Sequence, residues 1–202
     1  MAHQYFDDNT ALAHDKRQFK AEVRGETFTF TTDRGVFSRQ GLDFGTRLLL
    51  ESLPLEALRG QRLLDLGCGW GPVGVVLGRL LSPVHITMLD VSERALNLAR
   101  ENIQTNHSQV EKIAQSDAYA AVAGEKFDWV LTNPPIRAGK KVVHGFITEA
   151  WDVLQPGGHL RLVIQKKQGA PSAKKKMQEV FGQVVEITRE KGYWILDSQK
   201  DS

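Results

Sequence analysis

Two short runs carry residue types that do chemistry together. The first is Leu63-Leu64-Asp65-Leu66-Gly67-Cys68-Gly69-Trp70-Gly71-Pro72-Val73-Gly74. A carboxylate near the end of an apolar run, followed by glycines at alternate positions, is the pattern of a strand turning into a helix. The glycines permit positive φ and let a ligand approach the backbone where a Cβ would block it. Pro72 suits the first turn of the following helix, where its missing N–H is an orphan anyway. The second run is Thr132-Asn133-Pro134-Pro135-Ile136. An exocyclic amine on a base, or an amide nitrogen, is a poor nucleophile because its lone pair is delocalised. The side-chain oxygen of Asn133 and the carbonyl of Pro134 can each accept one N–H. Those bonds favour a pyramidal nitrogen and offset the positive charge that grows as it attacks a methyl group. Pro134 and Pro135 stiffen the loop, so the acceptors are preorganised. Together the two runs point to S-adenosylmethionine (SAM) and methyl transfer to a planar nitrogen.

Gly69-Trp70-Gly71-Pro72-Val73-Gly74 also matches the dinucleotide pattern G-x-G-x-x-G, which keeps a nicotinamide-dependent oxidoreductase as a rival. Asp90, ending the next apolar run, suits ribose hydroxyls in either case. Asp65 favours SAM, because an acid there repels a pyrophosphate and suits an ammonium and a sulfonium. Asp117, after Ser116, is placed either to accept from an adenine amino group or to cap the short segment Ala118–Ala121. Cys68 has no histidine near it in sequence and reads as a small residue between glycines. Trp70 either lines the cofactor pocket or covers the helix N-terminus.

These residues need a sheet to hold them. From Gln61 onward, apolar runs of strand length alternate with segments of helical period, as in a parallel sheet with crossover helices. Strands are predicted near Arg62–Leu66, Val84–Leu89, Val110–Gln115, Trp129–Thr132 and His159–Gln165. Helices are predicted near Pro72–Leu81, Ser92–Thr105, Lys141–Leu154 and Ala173–Phe181, with Ser92 as an N-cap and Pro156-Gly157-Gly158 as a stop. Val184–Thr188 and Tyr193–Leu196 read as a tight antiparallel pair added at the sheet edge. Ahead of the sheet, Phe19–Val23 and Thr27–Thr31 flank Arg24-Gly25-Glu26 as a hairpin, and Gly45–Ser52 reads as a helix before Pro54. The chain thus reads as one α/β domain over residues 1–202, with an N-terminal extension over 1–58 and a cofactor-binding core over 59–202. The cofactor site falls outside the carboxyl ends of the strands.

The totals agree. The chain has 202 residues, 41% of them hydrophobic and 25% charged, enough for a sizeable core. No apolar run approaches a membrane span, and Met1–Asp8 lacks the basic and apolar regions of a secretory signal. A single cysteine allows no internal disulfide and fits a reducing cytoplasm. The six histidines show no metal-ligand spacing, so no metal is expected. A net charge of +2 does not announce a nucleic-acid binder, so a basic surface must come from local clustering.

The chain resembles the class I SAM-dependent methyltransferases, and more closely the small-subunit ribosomal RNA guanine-N2 methyltransferase family. The resemblance rests on Asp65–Gly71, on Asn133-Pro134-Pro135, and on Gly35-Val36-Phe37-Ser38 with Leu42-Asp43-Phe44-Gly45-Thr46. It extends through Gln165-Lys166-Lys167-Gln168-Gly169-Ala170, and larger enzymes of the family carry a second, related domain. It implies a Rossmann-like, mostly parallel sheet with an antiparallel C-terminal strand. It also implies cofactor contacts at Asp65, Gly67, Cys68, Gly69, Gly71, Asp90, Val91, Asp117, Ala118 and Asn133, with Asp43 and Thr46 closing the methionine end. Catalysis would fall to Asn133, Pro134, Pro135 and Ile136, and the substrate would be small-subunit ribosomal RNA with the guanine flipped out of its helix. The family usually has an aromatic after Asn-Pro-Pro that stacks on the base. Ile136 stands there instead, leaving Phe37, Arg137 or Trp194 to supply a plane. Arg137, Lys140, Lys141 and His144 follow the loop. Lys166-Lys167 and Lys174-Lys175-Lys176 follow the fifth strand of the sheet, and the two sets suit an RNA backbone. Other acceptors remain open: a protein glutamine amide, a DNA adenine or a small molecule. So does a non-catalytic domain that holds SAM and RNA.

Overall fold

The computed structural model describes residues 12–201; the Met1–Asp8 stretch read for a secretory signal lies outside them. A hairpin comes first, β1 (Arg17–Val23) and β2 (Glu26–Thr32), followed by α1 (Phe44–Ser52) and the single turn α2 (Leu55–Leu58). The sheet then alternates with helices: β3 (Arg62–Leu66), α3 (Pro72–Leu80), β4 (His85–Asp90), α4 (Glu93–Thr105), β5 (Lys112–Gln115), β6 (Phe127–Thr132), α5 (Lys140–Val153), β7 (Leu154–Gln165) and α6 (Ala170–Phe181). It ends with β8 (Val185–Glu190) and β9 (Tyr193–Gln199).

The seven strands run in the order β5-β4-β3-β6-β7-β9-β8. The first five are parallel, and β9 enters antiparallel between β7 and β8. The order reverses between β3 and β6, so a crevice opens where their carboxyl ends diverge. Strand residues alternate between two hydrophobic clusters, as a sheet buried on both faces requires. Leu63, Trp129, Leu131, Val163 and Ile195 lie in the cluster that also holds residues of the hairpin, α1, α3 and α4. Leu64, Val130, Leu162, Ile164 and Leu196 lie in the other, with residues of α5 and α6.

One expected stop is misplaced. α5 ends at Val153 and the chain turns directly into β7, so Pro156-Gly157-Gly158 lies inside the strand segment. There the Gly157 N–H donates to the Lys200 carbonyl, and the Lys200 N–H to the Gly158 carbonyl, both at 2.8 Å. The β6–β7 register shifts over the same stretch. The proline and glycines therefore shape a strand irregularity rather than a helix terminus.

The hairpin is bolted to the glycine turn by α4. Asn102 accepts from the Thr31 N–H (2.7 Å) and donates to the Thr31 and Trp70 carbonyls (3.0 and 2.8 Å). One turn later, Asn106 makes the same paired bonds to the backbone of Thr29. Two carboxamides at i and i+4 thus act as a missing neighbour strand for the outer edge of β2. Phe19 and Phe30 pack edge-on against Trp70, at 5.7 and 4.9 Å between centroids. Arg24 in the hairpin turn donates to the Leu50 and Glu51 carbonyls at the end of α1, the first of which also accepts from the Leu53 N–H.

Asn102→Ala is expected to strand several buried backbone groups at once. Each costs about 1–3 kcal/mol, so a loss of about 3 kcal/mol or more in urea-unfolding free energy is expected. A change below 1 kcal/mol would show that water replaces the amide.

Candidate active site

Leu66 pairs with Thr132, so Gly67 and Asn133 are the next residues out on adjacent strands. The Thr132 hydroxyl donates to the Leu66 carbonyl (2.8 Å), locking the two ends together. The backbone N–H groups of Gly67 and Cys68 both donate to the Leu89 carbonyl, at 2.8 and 2.9 Å. Gly67, Gly69 and Gly71 have φ of 69°, 56° and 92°. At Gly71 a Cβ would also lie 3.0 Å from Ala99 and Met88, and at Gly74 it would lie 2.4 Å from the Met88 sulfur. The glycines therefore serve both the turn and the close approach of α3 to β4.

Asp65 has a structural task that the sequence reading did not assign. Gly71 at the N-cap of α3 offers no side chain, and the Gly74 N–H donates instead to Asp65 Oδ2 at 3.0 Å. The carboxyl is 4% exposed. Burial pushes its pKa up to about 7; the Gly74 bond opposes this and the charge of Asp90 adds to it. Cys68 beside it is buried, and burial first, then Asp65 and Asp90, drive its thiol well above the usual range. It is no nucleophile.

Asp90 ends β4 half-buried. Its Oδ2 accepts from the Gly69 N–H (2.7 Å) and its Oδ1 from the Ser92 N–H (2.9 Å). Ser116, not Asp117, caps the segment 118–121: its hydroxyl accepts from the Ala121 N–H (3.0 Å) and donates to the Ala118 carbonyl (2.8 Å). Asp117 is left exposed on a turn in which Ala118 has a φ of 44°. Trp70 is 2% exposed and belongs to the core under the hairpin rather than to a pocket wall.

The Asn133 amide is held from the N-terminal segment. Its Nδ2 donates to Thr46 Oγ1 (3.0 Å) and to Asp43 Oδ2 (3.4 Å). The same Asp43 oxygen accepts from the Thr46 N–H (3.0 Å) and caps α1. A carboxylate only accepts, so the NH2 group faces it and the amide oxygen is turned the other way, free to accept. Asp43 and Thr46, far away in sequence, thus sit at Asn133. Pro134 is buried and Pro135 half-buried. Ile136 opens a single 3-10 turn and packs partly on the α5–α6 cluster.

Of the three candidate planes, Trp194 is 8% exposed with the Arg189 guanidinium 3.8 Å from its ring centre, and is core. Arg137 is an exposed loop residue. Phe37 is not core: it is 68% exposed, while its carbonyl accepts from the Trp70 indole N–H at 2.8 Å. The basic sets separate likewise. Lys174 pairs with Glu186, and Lys176 with Glu179 at 3.6 Å. Arg137, Lys140, Lys141, Lys166 and Lys167 are exposed and make no ion pair with another described residue. His144 bonds to Ser172 (2.9 Å), and burial, with Lys140 and Lys176 nearby, lowers its pKa. Among the described residues no three His, Cys, Asp or Glu side chains group to hold a metal, and no helix is long and apolar enough to cross a membrane. Ser116 and Ser172 escaped the sequence reading, since a lone serine carries no pattern that marks either task.

Residues 27–197 match the model of the methyltransferase small domain family. YbxB of Bacillus subtilis, an uncharacterized protein, is 42% identical over 99% of this chain and 100% of its own length. Ribosomal RNA small subunit methyltransferase C of Aeromonas hydrophila is 41% identical over 64% of this chain, but only 37% of that protein is covered. Among solved structures, the T. thermophilus 16S rRNA N2 G1207 methyltransferase (RsmC), in complex with AdoMet and guanosine, superposes with a TM-score of 0.82. Its identity is 28%, over 92% of this chain and 50% of that one. The chain spans half or less of these two RNA-modifying relatives.

Asp65 sets a pH dependence. Its pKa rises from 3.8 to about 7 on folding, so its contribution to stability is full below pH 4 and is lost as pH rises through 7. Between pH 5 and 8 the ligand-free protein is expected to lose thermal stability relative to Asp65→Asn, which keeps an acceptor for Gly74. Parallel melting curves for the two across that range would overturn the raised pKa.

Proposed function

The chain belongs to the methyltransferase small domain family, and from that premise we propose that it methylates an exocyclic nitrogen, guanine N2 in small-subunit ribosomal RNA, with SAM as donor. One observation carries this reading: the Asn133 amide nitrogen is pinned by Asp43 and Thr46, which leaves its oxygen as an acceptor beside the glycine turn. The relatives named for 16S rRNA methylation support the choice of base and RNA.

The crevice suits a cationic donor. A buried acid with one oxygen bound to Gly74 stands where a pyrophosphate would be repelled, which argues against the nicotinamide alternative. Gly67, Cys68, Gly69 and Gly71 offer close backbone approach, Asp90 and Val91 suit a ribose, and Asp117 with Ala118 suits an adenine edge. When bound, SAM supplies an electrophilic methyl on a sulfonium. Asn133 Oδ1 and the Pro134 carbonyl accept the two N–H groups of the incoming amine, hold its lone pair in line and stabilise its growing charge. Pro135 fixes that loop. Ile136 gives apolar contact, and Phe37 is the plane with an open face for the base. Arg137, Lys140, Lys141, Lys166 and Lys167 face phosphates. A lone buried cysteine and an RNA acceptor fit a cytoplasmic enzyme.

Labelled SAM offered with naked 16S rRNA, assembled small subunits and protein fractions is expected to mark RNA, with N2-methylguanosine on digestion. Label in a protein amide, or in no fraction, sinks the assignment. Asn133→Ala is expected to cut turnover by about 10²–10³-fold, as removal of a preorganised transition-state partner does elsewhere. SAM affinity, read by calorimetry, should stay within about twofold; a variant as active as the parent would support a non-catalytic role for the loop.

Changing Lys140, Lys141, Lys166 and Lys167 together to alanine should weaken RNA binding and reduce the log–log salt slope by about 3, at ~0.7 per phosphate contact for single strands. An unchanged slope would place RNA elsewhere on the protein.

A further inference from the structure

Just beyond the Asn-Pro-Pro loop, the first turns of α5 and α6 leave a cavity of about 100 Å³. Its floor is apolar, with Ile136, Val143, Ile164 and Ala173. Polar residues also line it, among them His144 and Ser172, which are hydrogen-bonded to each other at 2.9 Å. Neither Asn133 nor Pro134 lines it, so it is not the seat of the reacting amine.

Among the described residues, the N-cap glycines of α5 and α6, Gly139 and Gly169, supply no side-chain cap, and Gly169 lines the cavity. Lys140 lines the cavity, and Lys141, Lys166 and Lys167, next to lining residues or close to them in sequence, make no ion pair with a carboxylate among the described residues. The site therefore offers an apolar slot for a ring, edge groups inside, and positive charge around the opening. An anion alone would waste the apolar floor. An apolar side chain would waste the His144–Ser172 pair. A base with its phosphate outside uses both parts.

We propose that this cavity binds the base of the nucleotide adjoining the methylated one. The base lies against Ile136 and Ile164, with its polar edge on His144 and Ser172, and its phosphate rests over the starts of α5 and α6. His144 Nε2 is engaged with Ser172, which leaves Nδ1 and the spare capacity of the Ser172 hydroxyl for a base edge, and burial together with Lys140 and Lys176 holds the imidazole below its ordinary pKa. The proposal rests on the RNA reading above and adds to it a second grip, one nucleotide from the target. It also gives Ile136 a task that its missing π-face does not impair: it forms the wall between two base sites.

The test uses the full chain and RNA oligonucleotides around the methylated guanine, with each neighbour in turn made abasic. Loss of one neighbouring base is expected to raise KM about tenfold or more, with kcat at saturation nearly unchanged. Loss of the other neighbour should have little effect. Ser172→Phe, which fills the slot, should raise KM for intact RNA similarly, leave SAM affinity unchanged and add nothing on the abasic substrate. Should that variant misfold, His144→Ala serves in the same cycle with a smaller effect. Guanine methylation that ignores both abasic sites, or additive losses in the cycle, overturns the cavity assignment alone. A methylphosphonate linkage that raises KM where the abasic site does not would assign the cavity to phosphate and also overturn it. Methylation of a protein amide instead of RNA removes this inference together with the reading it rests on.

Discussion

The site depends on one oxygen. Asp43 Oδ2 accepts from the Thr46 N–H to begin α1 and also faces the Asn133 amide. Acting as a cap, it fixes where α1 starts; acting as an acceptor, it fixes which way the Asn133 carboxamide points. A carboxamide left to itself can turn over, and one orientation would aim an NH2 group at an incoming amine. Selecting the productive face thus needs a helix delivered from outside the sheet, and it needs that helix held still. Arg24 binds the carbonyls at its far end, and Arg161, itself paired with Asp197, binds the Ser52 carbonyl at 2.7 Å. In the proposed reaction the N-terminal segment therefore takes part through Asn133, whose amide it holds.

The same economy appears at the glycine turn. A tight strand-to-helix turn has no room for a capping side chain at Gly71, so the cap comes from Asp65, six residues earlier and one strand end below. This places a carboxyl in a buried setting where ionisation is disfavoured, next to a second acid, Asp90. Two acids that repel each other are favourable partners for a cation. On the proposed function, the structural cap and the preference for a positively charged donor follow from one burial.

How much of this could be read from the residues depends on how local the cause is. β3 is found at the predicted Arg62–Leu66, and α3 starts at Pro72, because an apolar run ending in alternate glycines encodes both. Ser92 caps α4 as expected, with its side chain accepting from the Ala95 N–H. Most of the failures involve partners distant in sequence. Pro156-Gly157-Gly158 reads as a stop, but its backbone pairs with Lys200 across the sheet. Ser116, not Asp117, closes its turn, since either residue type suits the pattern and only the fold chooses. Asn102 and Asn106 look like ordinary surface helix residues, yet they complete a strand about 70 positions earlier. Phe37 reads as core packing or as an exposed plane. Its carbonyl is tied to Trp70 while the ring stays out, a distinction no periodicity carries.

Charge follows the same logic. A net +2 suggests a surface with little field. The fold distributes it unevenly, because many of the basic side chains are matched where they stand: Arg34 and Arg39 with Asp15, Arg79 with Glu26, Arg100 with Glu93, Lys112 with Glu125, Lys174 with Glu186. A paired cation contributes little beyond its partner, whereas unpaired ones sum, and a crevice wall concentrates their field. Arg137, Lys140, Lys141, Lys166 and Lys167 lie in two short segments that the sheet order brings to one edge, after β6 and after β7. The field therefore lies beside the Asn133 loop, although the total charge gives no sign of it. Pairing elsewhere on the surface makes that edge basic as much as the lysines themselves do.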